Sequence, residues 1–260
     1  MITLIGHGYV GNYIQQELQS QNISHTWIRH ADPIPLTTNC IINAAGYAGV
    51  PNVDACELNK QATIQGNVIW PLSLEQANPS IPIVHITSGC VYTGLVSGGY
   101  TELDEPNFTF DNGSFYSGSK ALFQKLMTPY LDKSYLLRIR MPFGDDNHSK
   151  NLLTKFRNYD KLIDFHNSLS YIVDVARVAV YFAVNRPQAG IYNVCNPGAL
   201  TTKQIADILG LTKQWFTPEE FDRVVVAPRS VCELNVDKLQ RIFPLESAET
   251  ILKRTVVIDR

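Results

Sequence analysis

Ile2-Thr3-Leu4-Ile5-Gly6-His7-Gly8-Tyr9-Val10-Gly11 opens the chain with four apolar or β-branched residues that run straight into a Gly-x-Gly-x-x-Gly turn. The first four residues read as a strand, and Val10 to Leu18 reads as the helix that follows. Glycine at Gly6, Gly8 and Gly11 permits a tight turn and close approach of the backbone to a pyrophosphate, an anion that a helix N-terminus favours. Glycine turns are common after strands. Placement at the first strand-helix junction is what points to a dinucleotide.

An NAD-binding chain usually carries an acidic residue at the end of the second strand, for the ribose hydroxyls. Here the second strand, His25 to Ile28, is followed by Arg29 and His30, with Asp32 beyond. Arg29 suits a 2′-phosphate, which makes NADP(H) the expected cofactor; the alternative is a solvated surface side chain. After the third strand, Cys40 to Asn43, the small residues Ala44, Ala45 and Gly46 lead to Tyr47 and leave room for a cofactor against the sheet edge.

Apolar β-like runs alternate with amphipathic stretches along the chain, the pattern of a parallel sheet covered by helices. Val53 to Gln76 reads as a helix kinked near Pro71. Ile83 to Thr87 is a strand, Ser114 to Met127 a helix, and Tyr135 to Ile139 a strand. The polar Gly144-to-Asn151 stretch reads as a loop before a helix from Leu152 to Tyr159. Ile172 to Ala183 is helical, Ile191 to Val194 a late strand, and short helices follow at Lys203–Leu209, Pro218–Asp222 and Ser247–Lys253. The expected fold is α/β: a Rossmann-like doubly wound parallel sheet with a small discontinuous C-terminal lobe. The dinucleotide-binding part covers 1–143 plus about 169–196, and the substrate lobe about 144–168 plus 197–260.

With 260 residues, the chain can build one sizeable core. Hydrophobic residues at 45% and charged residues at 18% argue against disorder. A formal net charge of −2 gives no reason to expect a nucleic acid. No apolar run approaches the roughly 20 residues that cross a bilayer, and the N-terminus has no signal-peptide anatomy. The five cysteines are odd in number and widely spaced, with no metal-ligand pattern, so no metal is expected and a reducing cytoplasm is the natural setting.

Two further stretches carry chemistry: Ser88-Gly89-Cys90 near the end of a core strand, and Tyr116-Ser117-Gly118-Ser119-Lys120 at a helix start. A Tyr and a Lys four residues apart share one helix face. The ammonium would lower the phenol pKa from about 10, so that Tyr116 could exchange a proton near neutrality. Ser88 can hydrogen-bond the same substrate oxygen. That spacing also arises by chance with a half-buried Tyr and a solvated Lys. The upstream glycine turn and the strand-ending Ser favour a site at the C-terminal edge of the sheet. Cys90 is the surplus group, and it suggests a site that moves protons as well as hydride. His148 and His166 read as surface-loop histidines.

These residues make the chain resemble the extended short-chain dehydrogenase/reductase superfamily, and within it the nucleotide-sugar 4-reductases such as dTDP-4-dehydrorhamnose reductase. It is most similar to the plant-type bifunctional UDP-4-keto-6-deoxyglucose 3,5-epimerase/4-reductases, which also occur in large DNA viruses. The stretches that carry the resemblance are GYAGVPNVDACE, TSGCVY, DEPNFT, GSFYSGSKA, LRIRMP, NLLTKFRNY, YNVCNPG and VVVAPRS. The resemblance implies that Tyr116 is the proton donor to O4, that Lys120 binds the nicotinamide ribose, and that Ser88 orients the 4-keto oxygen. The family's epimerase pair falls on Cys90 and Lys155. Asn151 and Arg229 match positions expected near the nucleotide diphosphate, and Asn67 the Asn beneath the active site. Tyr9, Val10, Thr87 and Met141 join the glycines, Arg29 and Ala44 to Tyr47 as expected cofactor contacts. The glycine turn is one residue shorter than the Gly-x-x-Gly-x-x-Gly usual in the superfamily.

Carbons 3 and 5 flank the C4 carbonyl, so removal of either proton gives an enolate whose charge collects on O4. Ser88 and Tyr116 would already aim donors at that oxygen. A thiol ionises near 8.5, and a nearby cation would raise its thiolate fraction. The resemblance thus implies an NADPH-dependent, homodimeric enzyme of the cytoplasm (a host's, if viral) that converts a UDP-4-keto-6-deoxy-D-glucose substrate to UDP-L-rhamnose. Two alternatives stay open: a reductase acting on an already epimerised dTDP or UDP sugar, and a non-catalytic NADP-binding regulatory subunit.

Overall fold

A computed structural model describes residues 1–50 and 52–258. Strands β1 (Ile2–Ile5), β2 (His25–Ile28), β3 (Cys40–Asn43), β4 (Ile83–Ser88), β5 (Tyr135–Ile139) and the late β9 (Gly190–Val194) form one sheet in the order β2-β1-β3-β4-β5-β9. All of its pairings are parallel. Every residue of β1, β3 and β5 is buried, as the unbroken apolar runs require when both faces of a sheet are covered. Helices α1 (Tyr9–Ser20) and α7 (Ile172–Asn185) cover one face, where Leu4, Ile14, Ile42, Leu137, Val178 and Phe182 share a core. Leu74 of α4 (Trp70–Ala77) and Phe123 of α5 (Phe115–Leu126) pack on the other. Strand order reverses between β1 and β3. The crevice beyond their C-terminal ends is where such sheets bind ligands.

The stretch expected as one kinked helix from Val53 to Gln76 is broken more often than that. It comprises α2 (Ala55–Leu58), α3 (Lys60–Ile64), a π turn (Gln65–Ile69) and α4. The Trp70 N–H reaches Gln65 O, one residue further than an α bond. Pro71 follows, with no N–H to continue the ladder and a ring that crowds the preceding turn. The kink expected at Pro71 is therefore a π bulge just ahead of it, and it carries the buried Asn67.

The second lobe holds β6 (Pro142–Phe143), α6 (Leu152–Asn158), β7 (Lys161–Leu162), β8 (His166–Tyr171), β10 (Asn196–Thr201), α8 (Thr202–Ile208), β11 (Gln214–Trp215), α9 (Pro218–Asp222) and α11 (Ala248–Ile258), whereas α10 (Asp237–Gln240) packs back on β9 with Leu239 in the core of the main sheet. β8 lies between β6 and β10, and β7 pairs with β11. Phe143, Leu153, Leu169, Leu200, Ile251 and Leu252 form its core. β8 and β10 are strands where the sequence suggested none. β8 also runs across the domain boundary expected at 168/169, and His166 opens it rather than lying in a loop. The polarity of β8 hid it: Asn167, Ser168 and Ser170 are all buried. Each is satisfied: Ser170 donates to Val194 O at 2.6 Å, Leu234 N donates to Ser168 at 2.9 Å, and Cys232 N donates to Asn167 at 3.1 Å. Among the described residues no helix is long and apolar enough to cross a membrane.

One buried polar network within the main sheet makes stability depend on pH. Asn43 Nδ2 donates to His85 Nδ1 at 3.1 Å, which places the imidazole proton on Nε2, 3.1 Å from Glu75 Oε1. Lys133 holds the other carboxylate oxygen. Burial keeps His85 below its ordinary pKa against the pull of Glu75. Burial pushes Glu75 up, but its bonds to His85 and Lys133 outweigh that and hold it low. Both groups take up protons more readily when unfolded, so their contribution is complete above the unfolded His value of about 6.5 and is lost as pH falls below it. Thermal unfolding should show a midpoint that falls between about pH 6.5 and 5, by roughly 2–4 °C per kcal/mol lost. His85→Gln should flatten that segment. An equal slope in the variant would contradict the assignment.

Candidate active site

The turn after β1 is built for close backbone approach. Gly6 runs at φ +108°, and a Cβ on Gly11 would lie 2.1 Å from Gly6 O, so neither position accepts a side chain. Gly8 caps α1 with no side-chain hydrogen bond, no acidic residue sits in the first turn, and space opens beside Gly8. The first N–H groups of this twelve-residue helix thus face open space with a positive dipole end. That arrangement fits a pyrophosphate. The shortened turn is braced by Trp27, whose indole donates to Gly6 O at 2.9 Å, and whose ring lies 4.3 Å from that of His7. Tyr9 is instead a core residue that stacks on His148, and Val10 packs against the α1–α7 core. Arg29 is exposed at the end of β2, where its backbone N–H engages Asp32.

At the end of β3, Ala44 to Tyr47 is fixed from below. Asn67 accepts from Tyr47 N at 2.9 Å, donates to Tyr47 O at 2.8 Å and donates to Ser119 Oγ at 3.1 Å. It is fully buried, so it positions this loop against α5 rather than touching a ligand. Gly46 is small because a Cβ there would meet Asn67 Oδ1 at 3.3 Å and Lys120 Nζ at 3.4 Å.

Thr87 and Ser88 finish β4, with Thr87 buried. Ser88 Oγ accepts from Cys90 N at 3.1 Å, a local bond that turns the thiol out of the strand. Ser114 caps α5 by accepting from Ser117 N at 3.0 Å. Glu57 accepts from Phe115 N at 2.6 Å and so ties the helix start to α2. Tyr116 is then delivered to the neighbourhood of Ser88, Cys90 and Arg140, all of which act on its phenol. Lys120 lies a turn further, 7% exposed, with Nζ 5.8 Å from the Tyr116 ring centroid.

The electrostatics correct one expectation. Tyr116 stands above its ordinary pKa, raised by burial and then by Cys90, while the nearby Ser88 hydroxyl and Arg140 pull the other way. Desolvation outweighs any help from Lys120, so the phenol keeps its proton. Lys120 is itself lowered to about 8 by burial, with Cys90 and Cys56 opposing. A neutral phenol is the form that donates a proton.

Sequence reading missed Arg140, which leaves β5 with its guanidinium aimed back at the site. Its Nη1 donates to Cys90 Sγ at 2.8 Å. The signal was there in LRIRMP, where two arginines sit in or beside a strand otherwise fit for burial. Met141 next to it adopts φ +43°, a left-handed conformation uncommon for a side-chain-bearing residue.

Two expected substrate contacts are committed elsewhere. Asn151 is fully buried, accepts from Leu153 N at 3.0 Å as the cap of α6, and donates to Gly144 O at 2.8 Å and Asp146 O at 2.6 Å. It shapes the loop and has no face left for a ligand. Arg229 forms a two-pronged pair with Asp54, at 2.6 and 2.7 Å, which holds that carboxyl well below its usual range. It bridges the two lobes, as a surface arginine meeting a carboxylate would. Lys155 sits on α6 within the electrostatic reach of Lys150 and Arg229, its pKa lowered first by burial and then by those two cations. Among the described residues no cluster of His, Cys, Asp or Glu could hold a metal ion.

No family model matches the chain. The bifunctional dTDP-4-dehydrorhamnose 3,5-epimerase/dTDP-4-dehydrorhamnose reductase of Arabidopsis thaliana is 33% identical over 95% of this chain and 89% of its own length. The chain belongs to this family of epimerase/reductases. A trifunctional UDP-glucose 4,6-dehydratase/3,5-epimerase/reductase from the same plant is 34% identical over 82% of the chain, which spans 34% of that longer protein. Among solved structures, a UDP-rhamnose synthase from Acanthamoeba polyphaga mimivirus superposes with a TM-score of 0.91 at 24% identity, over 98% of each chain. A dTDP-4-dehydrorhamnose reductase from Clostridium acetobutylicum gives 0.79 at 23% identity, over 99% of this chain and 98% of that one. These two likenesses establish the Rossmann-like fold of the family.

Proposed function

We propose that this member of the family converts UDP-4-keto-6-deoxy-D-glucose to UDP-L-rhamnose, inverting C3 and C5 and then reducing C4 with NADPH. The observation that carries the reading is the seating of the Cys90 thiol beside the Ser88/Tyr116 oxygen-binding pair, with a guanidinium 2.8 Å from its sulfur. A reductase alone has no use for a base at that point. When bound, NADPH would supply the hydride to C4; the glycine turn, the Ala44–Tyr47 loop, Lys120 and Arg29 are the residues that would hold it.

Cys90 takes the proton from C3 or C5, and the electron pair collects on O4 as an enolate. Ser88 and Tyr116 donate to that oxygen. Lys155 returns a proton on the opposite face; its lowered pKa makes that transfer easier near neutrality. Once both centres are inverted, the same Ser88 and Tyr116 hold the carbonyl for reduction, and Tyr116 gives its proton to O4. The five free cysteines suit a reducing compartment, and the same reading places the enzyme in the cytoplasm.

Incubation with UDP-4-keto-6-deoxyglucose and NADPH in deuterated water tests the whole sequence. NMR of the product should show UDP-rhamnose with deuterium at both C3 and C5. A reduced sugar that keeps hydrogen and the original configuration at those carbons would sink the reading.

A further inference from the structure

The guanidinium of Arg140 is buried, with the residue 2% exposed, and no carboxylate among the described residues pairs with it. Its Nη2 donates to Asn167 Oδ1 and, at 2.5 Å, to the Ser230 carbonyl, while Nε has no partner. These acceptors are neutral. An isolated buried cation costs several kcal/mol unless an anion accompanies it. The remaining donor atom, Nη1, points at Cys90 Sγ.

Three thiols surround this cation: Cys90, Cys195 and Cys232. Cys195 is 1% exposed and pushed up to about 12 by burial, so it stays a thiol. Cys232 is fully buried, raised by burial, and donates its own proton to Gly89 O at 3.5 Å. Cys90 differs from both. It accepts from the guanidinium, and it is the partly exposed member of the set.

We propose that Arg140 is a positioning residue that serves as the fixed counter-ion of a Cys90 thiolate, so that the epimerase base is stored as an anion. The idea rests on the epimerase reading above. An imidazolium partner would share its proton with the sulfur. A guanidinium keeps its proton throughout, so it sets the charge and direction of the base without competing for the substrate proton. In the step itself the S–H bond forms as the C–H bond breaks, and the electron pair moves to O4. Cys90 then releases its proton to water, and Lys155 regains one from water.

Iodoacetamide alkylation across pH tests this without any substrate. Cys40, Cys56, Cys195 and Cys232 are buried, so the native protein reports Cys90. The rate should stay high down through about pH 7, where an ordinary thiol with a pKa near 8.5 has already slowed. Arg140→Gln should slow alkylation at pH 7 about tenfold or more, and Arg140→Lys should restore part of the rate. Both variants should keep the native circular dichroism spectrum and bind NADPH, which reports that the fold is intact. A native rate that rises only above about pH 8, or an unchanged profile in Arg140→Gln, overturns the proposal. Failure to turn over UDP-4-keto-6-deoxyglucose with a normal alkylation profile would instead count against the substrate assignment.

Discussion

Tyr116→Phe should lower reduction of the 4-keto group about 10³-fold or more, while deuterium continues to enter C3 and C5 at a rate reduced far less. General acid catalysis by a positioned side chain is worth roughly 10²–10⁴, and the variant removes the proton itself. The enolate loses one of two donors, because Ser88 remains at the end of β4. The phenol is held protonated by burial and by Cys90, so at ordinary pH the donor is always charged with its proton. Phenylalanine keeps the ring that packs under Lys120, 5.8 Å from Nζ, and the fold should survive. Cofactor oxidation measured by absorbance, beside NMR of the unreduced sugar, separates the two rates. Reduction within tenfold of the native rate would mean that another group supplies the O4 proton.

What could be read from the chain follows from how local each signal is. The glycine turn, the Tyr116/Lys120 spacing and the Ser88-Gly89-Cys90 run each specify their geometry within a few residues, and the structure brings all three to one edge of the sheet. β8 was illegible because its Asn167, Ser168 and Ser170 look like a loop until the backbone groups they satisfy come from Val194, Cys232 and Leu234. The same distance in sequence hid Arg140, fifty residues from the sulfur it faces. Asn151 and Arg229 have partners in the fold that their residue types do not announce. Their residue types suit a diphosphate, but a cap on α6 and the Asp54 carboxylate had already claimed them. The sign of the Tyr116 shift turned on desolvation, which spacing on a helix cannot reveal.

Cys90→Ala should abolish exchange at C3 and C5, by about 10³–10⁴, and leave reduction of UDP-4-keto-L-rhamnose within a few-fold of native. The two half-reactions share Ser88 and Tyr116, but only enolisation needs a base on carbon. Cys90→Ser should fail in the same way, since a hydroxyl restores the acceptor for Arg140 without becoming an anion near neutrality. Either variant that still exchanges at C3 and C5 would remove Cys90 from the role of base. The alanine variant has a second consequence, because it leaves the buried guanidinium with no group able to carry negative charge. Breaking a buried pair from one side costs about 3–5 kcal/mol, whereas replacing both partners by apolar groups can be nearly neutral. Cys90→Ala and Arg140→Met should therefore each lower the unfolding midpoint, and the double variant should fall by less than their sum. Additive losses would mean that sulfur and guanidinium touch without pairing, and the exchange defect of Cys90→Ala would then stand on the missing base alone.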